Sequence, residues 1–141
     1  PHFLYNVELK TAALRDTGLA AAVADRIQSH GVARQTVVSS FNPLAVRYAR
    51  RHLTQSTWVA HLSYKSSLQF LQSLIPAQAV HPHYRMVDAS YMAWAGKNGW
   101  RVNVWTVDDP AEARRLADLG VNAIITNQPK LLREALLHHE S

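Results

Sequence analysis

The stretch that decides the fold is WRVNVWTVDDPAEARRLADLGVNAIIT, residues 100–126. Apolar side chains recur at nearly every second place in its first part, which predicts a β-strand over 100–107. Asp109-Pro110 then supplies the side-chain N-cap and first-turn proline typical of a helix start, and Gly120 is the glycine expected just past a helix end. Since a second apolar run follows over 121–126, this stretch predicts one strand–helix–strand unit.

The same alternation extends in both directions from this stretch. Further strands are predicted over 3–10, 36–41, 57–62 and 77–81, and further helices over 18–30, 43–53, 66–74, 87–98 and 129–139. In the helix over 66–74, Leu68, Leu71 and Leu74 share one side. About six strand–helix units in series predict an α/β fold with a parallel sheet covered by helices.

The length leaves two architectures for such a sheet. A closed (β/α)8 barrel usually needs about 250 residues, and the chain has 141. The sheet is therefore either open and doubly wound, or an incomplete (β/α)8 TIM barrel. Strand character is present by the third residue with no lead-in, which favours a portion of a barrel. A compact domain with a docked N-terminal strand is the alternative.

The composition excludes several classes of protein. With 48% hydrophobic and 18% charged residues, the chain can bury a core. No apolar run reaches the roughly 20 residues needed to cross a bilayer, so we expect no transmembrane segment. The absence of cysteine excludes disulfides, thiolate zinc sites and a cysteine nucleophile. No secretory signal opens the printed sequence, and the cytoplasm is the favoured compartment, although periplasmic proteins also lack cysteine.

The formal net charge is +5, and the basic residues are scattered except for one group, Arg47, Arg50, Arg51 and His52. On a helix the three arginines share one face. A solvated outer helix face is the favoured interpretation, and non-specific contact with nucleic acid is the alternative. No DNA- or RNA-binding motif accompanies the group, so we expect no nucleic-acid partner.

The first strand carries the most informative polar residues. Side chains alternate across a strand, so Asn6, Glu8 and Lys10 share one face while Val7 and Leu9 share the other. Polar groups near the carboxyl end of a barrel strand lie where barrel active sites are built. A carboxylate there is a hard ligand for Mg²⁺ or Ca²⁺, and a lysine can meet a phosphate. An ion pair between Glu8 and Lys10 at an exposed strand end explains the spacing equally well.

The fifth strand alternates in the same way, with Asn103 and Trp105 on one face and valines on the other. Trp105 is either a core residue or part of a pocket mouth. The two histidines of 81–83 lie only two residues apart in a predicted loop, which favours a structural or exposed role over metal binding. No nucleotide-binding glycine motif, P-loop or serine-hydrolase motif is present.

Five segments, taken in order, resemble the glycerophosphodiester phosphodiesterase family. They are NVELK at 6–10, VSSF at 38–41, VHP at 80–82, VWTV at 104–107 and GVNAIITNQP at 120–129. The likeness covers nearly the whole chain, and the ordered set is specific although each segment alone is weak. The resemblance implies a (β/α)8 barrel that hydrolyses glycerophosphodiesters to an alcohol and glycerol 3-phosphate with a divalent metal, Mg²⁺ or Ca²⁺.

The resemblance also implies roles for individual residues. Glu8 matches the acidic metal ligand of the family, and Lys10 matches the lysine that faces the substrate phosphate. Trp105 matches the aromatic residue beside the glycerol part of the substrate. Ser40 and Phe41 match the end of the second strand here and are expected to bind substrate.

The sequence departs from the family pattern in two ways. Asn127 stands where the family usually carries aspartate, so a charge is lost there. The H-R-G strand, the E-x-D pair of metal ligands and the second catalytic histidine do not occur in these 141 residues. The resemblance therefore implies strands three to eight of the barrel, one partial domain over 1–141, with an incomplete metal site and no catalytic histidine. We expect the chain alone to be inactive and its open barrel edges to favour self-association.

Two other functions are compatible with the residues. The first is a βα-barrel module that binds a phosphorylated metabolite without hydrolysing it. The second is a basic interaction module. Ligand binding that depends on Glu8 would separate the phosphodiesterase from the first alternative, and a steep salt dependence of binding would indicate a nucleic-acid module.

Overall fold

The computed structural model describes residues 4–63, 67 and 69–137. Six strands are present: β1 Tyr5–Glu8, β2 Thr36–Ser40, β3 Trp58–Ser63, β4 Ala79–Pro82, β5 Arg101–Val104 and β6 Ala123–Ile124. They alternate with helices α1 Leu19–Ser29, α2 Pro43–His52, α3 Gln69–Ser73, α4 Ala89–Lys97, α5 Pro110–Asp118 and α6 Pro129–Leu137. Two short 3₁₀ turns, Ala33–Gln35 and Tyr84–Met86, complete the described elements.

The strands are arranged in one sheet in chain order, β1-β2-β3-β4-β5-β6. The β1–β2, β2–β3 and β5–β6 pairs are parallel. Sequential parallel strands joined by helices are the arrangement of βα units. The prediction of an α/β fold with six βα units is therefore confirmed. Within the part of the chain that is described, no helix has both the length and the apolar character needed to cross a bilayer.

The chain divides into two compact units. Among the described residues, the first unit takes 4–62, 67 and 69–79, and the second takes 63 and 80–137. The prediction of one partial domain over 1–141 stays a prediction.

The core of the first unit lies between its strands and helices α1 and α2. Val7 pairs with Val38 in register, and Val38 pairs with Val59, so three neighbouring strands present apolar side chains to the same side. The buried members of this core are Leu9, Ala20, Ile27, Val38, Ala45, Val46, Ala49, Val59 and Ile75. Because alternate residues of a strand point to opposite faces, this side cannot also hold Glu8.

The core of the second unit is built on β5 and its flanking helices. Val102 and Val104 are fully buried, and so is Leu116 of α5. Trp94 stands edge-on to Tyr91 and to Trp100, with ring centroids 5.2 Å and 5.3 Å away. Burial raises the pKa of the Tyr91 phenol to about 12, so this side chain stays neutral.

The predicted helix starts are confirmed at two strand ends. Asn42 accepts a hydrogen bond from the Leu44 amide at 3.0 Å, and Pro43 opens α2. Asp109 accepts from the amides of Ala111 and Glu112 ahead of α5, each at 3.3 Å. Each cap satisfies amides that have no partner inside the helix. Gly120 ends the α5 segment at φ 83, a left-handed conformation that glycine adopts without strain.

The third helix buries a polar residue and exposes its leucines. Leu71 and Leu74 are exposed, whereas Gln72 is completely buried. The Gln72 side-chain amide donates to the Leu62 carbonyl oxygen, at 3.5 Å, inside the first unit. Leu68 and Ser66 of this predicted helix lie outside the described residues, as do Phe3 of the first predicted strand and His138 and His139 of the last helix.

Several strands are shorter than predicted, and β6 is the clearest case. The apolar run over 121–126 forms a strand only at Ala123–Ile124. Just before it, the Asn122 side-chain oxygen accepts a hydrogen bond from the Val102 amide at 2.8 Å, and the Asn122 amide donates to the Val102 oxygen. A side chain thus takes the place of a strand residue, which delays the start of regular pairing.

Candidate functional site

The polar face of β1 is open to solvent in the first unit. Glu8 and Lys10 are both exposed, while Leu9 between them is 3% exposed and packs in the core. Neither charged side chain forms an ion pair with another described residue, so the interpretation of a paired strand end is not supported. The two charges are therefore available to a ligand from solution.

Asn6 lies on the same face as these two charges. Its side-chain oxygen accepts a hydrogen bond from the Ser39 hydroxyl at 3.0 Å. In the sheet register Ser39 is the partner of Glu8, so the neighbouring strand adds a buried hydroxyl to this face. The face carries one carboxylate, one amide, one hydroxyl and one ammonium group.

A divalent cation does not find a complete set of ligands in this chain. No group of three histidine, aspartate or glutamate side chains suited to a metal occurs among residues 4–63, 67 and 69–137. Mg²⁺ and Ca²⁺ take six or more oxygen ligands with compensating charge. Glu8 and its neighbours therefore supply one carboxylate toward such a site and do not by themselves hold the ion.

Ser40 and Phe41 end the second strand in different environments. Ser40 is 1% exposed, and its hydroxyl donates to the Leu9 carbonyl oxygen at 2.7 Å and accepts from the Asn42 amide at 3.1 Å. Phe41 is 36% exposed. The Ser40 hydroxyl thus has two partners within the chain, and one of them, Leu9, is the residue before Lys10. Substrate binding by Ser40 and Phe41 stays a prediction.

The connection after Lys10 has no regular secondary structure until α1 but is attached to α2. Asn42 donates from its amide nitrogen to the Ala13 oxygen at 2.8 Å, and the Tyr48 hydroxyl donates to the Leu14 oxygen at 3.0 Å. Asp16 lies 3.3 Å from the His52 ring. The Gly18 amide and then the His52 ring lower the pKa of the Asp16 carboxyl. Three contacts therefore fix this connection.

The basic group of α2 interacts mainly with its own chain. Arg50 donates to the Thr57 oxygen at 3.1 Å, and the Arg51 guanidinium lies 5.6 Å from the Tyr48 ring centroid. His52 meets Asp16 as described above, and Arg47 is exposed. The favoured interpretation, a solvated helix face, agrees with this arrangement.

In the second unit, β4 and β5 bring a buried histidine to an amide. His81 is 1% exposed, and its Nε2 atom lies 3.0 Å from the Asn103 side-chain nitrogen. Burial lowers the pKa of His81 to about 4, so the ring is neutral at pH 7. The strand predicted over 77–81 is present as β4, which includes His81 and extends one residue further, through Pro82.

Trp105 lies at the end of β5 and is half-buried. Its indole nitrogen donates to the His81 carbonyl oxygen at 2.7 Å, which fixes the ring against β4. Asn103 lies on the same side, and the intervening Val104 is fully buried on the other side. The predicted alternation of β5 is confirmed over Arg101–Val104. Trp105 was predicted to be either a core residue or part of a pocket mouth, and its half-buried ring lies partly in the core and partly at the surface.

Asn127 is hydrogen-bonded to a neighbouring carboxylate, that of Asp108. Asp108 accepts hydrogen bonds from the Asn127 backbone amide at 2.8 Å and from its side-chain amide at 2.9 Å, and from the Thr126 hydroxyl at 2.9 Å. The Asn127 side chain makes the largest contribution to lowering the pKa of Asp108. A negative charge therefore remains beside residue 127, and it joins the segments that follow β5 and β6.

Sequence reasoning missed two features of the second unit. The sequence does not indicate the pair of His81 and Asn103, because its two members lie on different strands, 22 residues apart. His83 was treated only as part of a loop motif, yet it contacts Trp105 directly. The signal that could have found both is the i, i+2 spacing of the histidines, which places them on one face once the strand continues.

Comparison with known proteins identifies the relatives of this chain. A model described as the glycerophosphoryl diester phosphodiesterase family matches residues 5–131. The chain is 26% identical over 136 residues to a glycerophosphodiester phosphodiesterase of Caldanaerobacter subterraneus subsp. tengcongensis, covering 92% of this chain and 54% of that protein. It is also 26% identical over 143 residues to the Bacillus subtilis protein YqiK, covering 98% of this chain and 58% of that one.

Solved structures agree with this assignment of fold. A crystal structure from Silicibacter pomeroyi DSS-3 matches with a TM-score of 0.84 at 25% identity, covering 99% of this chain and 51% of that one. An Oleispira antarctica phosphodiesterase in complex with the product sn-glycerol-3-phosphate matches at 0.75 and 22% identity, covering 93% and 54%. The incomplete (β/α)8 TIM barrel is thus confirmed, and the chain spans about half the length of the relatives it matches.

Proposed function

Because the chain belongs to the glycerophosphoryl diester phosphodiesterase family, we propose that it serves metal-dependent hydrolysis of glycerophosphodiesters to an alcohol and glycerol 3-phosphate. The observation that carries this proposal is the exposed polar face of β1, where Glu8 and Lys10 stand without ion-pair partners among the described residues. A solvent-facing carboxylate and ammonium group two residues apart are the groups that a metal-bound phosphate requires.

The proposed roles follow the chemistry of each side chain. Glu8 supplies one anionic oxygen to the divalent metal, Mg²⁺ or Ca²⁺, which when bound would neutralise phosphate charge. Lys10 offers up to three N–H donors and a positive charge to the phosphate. Trp105 offers an indole face for the glyceryl carbons, and the exposed ring of Phe41 offers a second apolar surface. Ser40 acts through its bonds to Leu9 and Asn42, which hold the strand end beside Lys10.

We propose further that these 141 residues do not turn over substrate alone. General acid–base catalysis by a histidine typically contributes about 10²–10⁴-fold, and the family's catalytic histidine motifs do not occur in this sequence. One carboxylate also leaves the metal short of ligands. We therefore propose no chemical step at a metal bound by this chain alone.

The test is binding of glycerol 3-phosphate to the chain, measured by calorimetry with and without Mg²⁺ or Ca²⁺. We expect weak binding that Lys10→Met reduces about tenfold, because one charge-assisted hydrogen bond is worth about 1.4 kcal/mol or more. We expect Glu8→Gln to remove the part of the binding that the metal adds. Lys130→Met, which removes an exposed lysine from α6, is the matched control and should leave the affinity unchanged.

Three outcomes would contradict parts of this proposal. Binding that is insensitive to both Glu8→Gln and Lys10→Met would favour a phosphate-binding module that does not hydrolyse its ligand. Release of glycerol 3-phosphate from glycerophosphocholine at a rate typical of complete enzymes would refute the inactivity of the chain. Binding of nucleic acid that weakens steeply as the salt concentration rises would indicate the basic interaction module.

Self-association through the sheet edges is the second part of the proposal. β1 and β6 each have one neighbour in the strand order, which leaves an outer edge on each strand. Leu4 and Tyr5, at the β1 edge, are 82% and 45% exposed. Edge strands with exposed apolar residues pair readily with other chains.

We expect the sedimentation coefficient of the chain to rise with protein concentration, and Leu4→Lys to suppress that rise by placing a charge at the β1 edge. Leu137→Lys is the control, since Leu137 belongs to helix α6 and is 61% exposed. A sedimentation coefficient that stays constant at the value of a monomer would show that the edges do not associate.

A further inference from the structure

His83, which follows β4 in the second unit, has its proton position set by a backbone bond. The Arg85 amide donates to His83 Nδ1 at 3.3 Å, as the cap of the short turn Tyr84–Met86. An Nδ1 atom that accepts a hydrogen bond carries no proton, so the neutral ring holds its proton on Nε2. The capping bond thus makes Nε2–H a hydrogen-bond donor.

The ring of His83 is held from two sides. It stacks on Tyr84 with ring centroids 4.6 Å apart and planes at 27°, and it stands edge-on to Trp105 at 5.2 Å and 87°. The His83 backbone amide donates to the Ser63 oxygen at 2.7 Å. A ring fixed in this way loses little conformational freedom when a ligand binds it.

The donor at Nε2 is available. Across residues 4–63, 67 and 69–137, no side chain or backbone oxygen accepts a hydrogen bond from this atom, and the residue is half-buried. By contrast, His81 two residues earlier is buried and already paired with Asn103. The two histidines of β4 and its extension therefore differ in function, since His81 supports the strand and His83 presents a donor.

The surroundings of His83 favour an anionic ligand. The Arg85 guanidinium lies 5.7 Å from the Tyr84 ring centroid, and its Nε donates to the Tyr84 hydroxyl at 3.2 Å. A positive charge therefore lies beside the Tyr84 ring on which His83 stacks. The half-buried indole of Trp105 adjoins the other edge of the His83 ring and offers an apolar face.

Resting on the proposed function, we propose that His83 is a further substrate-contacting residue, whose Nε2–H donates to a phosphate oxygen of glycerol 3-phosphate while Trp105 packs against the glyceryl carbons. The ligand class is a phosphate ester of a small polyol. The capping bond orients the donor, and the Trp105 contact fixes its distance from the apolar face.

A matched pair of substitutions separates this role from capping alone. In His83→Asn, the side-chain oxygen can replace Nδ1 as the acceptor for the Arg85 amide, but the Nε2 donor is lost. In His83→Gln, the longer amide can replace the Nε2–H donor, but the cap is lost. We expect His83→Asn to bind glycerol 3-phosphate about tenfold more weakly at nearly unchanged melting temperature, and His83→Gln to keep affinity within about twofold at a lower melting temperature.

The reverse pattern would overturn the proposal: unchanged affinity in His83→Asn, with loss of stability only in His83→Gln, would leave His83 as a cap. A second measurement is the ¹⁵N chemical shift of His83 Nε2 during titration with inorganic phosphate, with His30 on the surface as the internal control. A saturable shift at His83 and none at His30 supports the anion contact, and equal or absent shifts contradict it.

These measurements also separate the further inference from the proposed function. If glycerol 3-phosphate binding depends on Lys10 but not on His83, the contact at His83 is wrong and the proposed function stands. If inorganic phosphate shifts His83 but neither Glu8→Gln nor Lys10→Met alters binding of glycerol 3-phosphate, the anion contact stands and the proposed function fails.

Discussion

The free energy of unfolding, measured by urea denaturation, should be about 2 kcal/mol lower at pH 5 than at pH 7. Burial lowers the pKa of His81 from 6.5 to about 4. Between these values the unfolded chain binds a proton at residue 81 and the folded chain does not, so protons stabilise the unfolded state as the pH falls. The stability that the neutral His81 contributes is fully present above about pH 6.5 and is completely lost near pH 4.

His81→Gln is the control for this pH dependence. Its amide can still bond to Asn103 but cannot titrate, so the stability difference between pH 5 and pH 7 should shrink. Part of it will remain, because burial also lowers the pKa of His61 in the first unit. The pH interval avoids the exposed carboxyls of Asp16, Asp88 and Asp108, whose pKa values are lowered from 3.8. An unchanged pH dependence in the variant would contradict the assignment to His81.

Leu116→Ala should lower the free energy of unfolding by about 3–4 kcal/mol. Leu116 of α5 is completely buried and is the largest fully buried side chain among the residues that the structure describes. Removing its isopropyl group loses hydrophobic burial and leaves a cavity that close-packed neighbours fill only in part. The measurement is urea unfolding monitored by tryptophan fluorescence, since Trp100 is buried in the same unit.

Leu137→Ala provides the comparison at an exposed position of a neighbouring helix. Leu137 of α6 is 61% exposed, so its truncation should change stability by less than about 0.5 kcal/mol. Equal losses in the two variants would show that α5 is not packed as the structure has it.

Much of the fold follows from local signals in the sequence. Asn42-Pro43 and Asp109-Pro110 mark helix starts through bonds that span two or three residues, and such bonds are readable without tertiary contacts. The alternation of β1 predicts which side chains share a face, because the strand period fixes it. The order of strands and helices, and hence the α/β class, is determined by these local rules.

The errors arise where a distant partner decides. Gln72 of α3 is buried beside the Leu62 carbonyl oxygen of β3, a contact that the leucine spacing does not indicate. The apolar run before Thr126 gives only a short β6, because Asn122 bonds to Val102 across the sheet. Neither partner is adjacent in sequence, so periodicity carries no information about it.

The candidate site likewise combines features that the local sequence predicts with features that depend on residues distant in sequence. The exposure of Glu8 and Lys10 follows from strand alternation, which the sequence shows. The engagement of the Ser40 hydroxyl by Leu9 does not, because that bond joins two strands. The contact of His83 with Trp105 is likewise a property of neighbouring strands, and it appears only when both strand ends are positioned.

The ten-residue stretch between β1 and α1 also has a mechanical consequence. Asn42, Tyr48 and His52 attach its backbone and Asp16 to α2, so a displacement of α2 would carry the middle of this stretch with it. Only two residues separate Lys10 from the first of these attachments, at Ala13, so the backbone at Lys10 is anchored on one side by the sheet and on the other by α2.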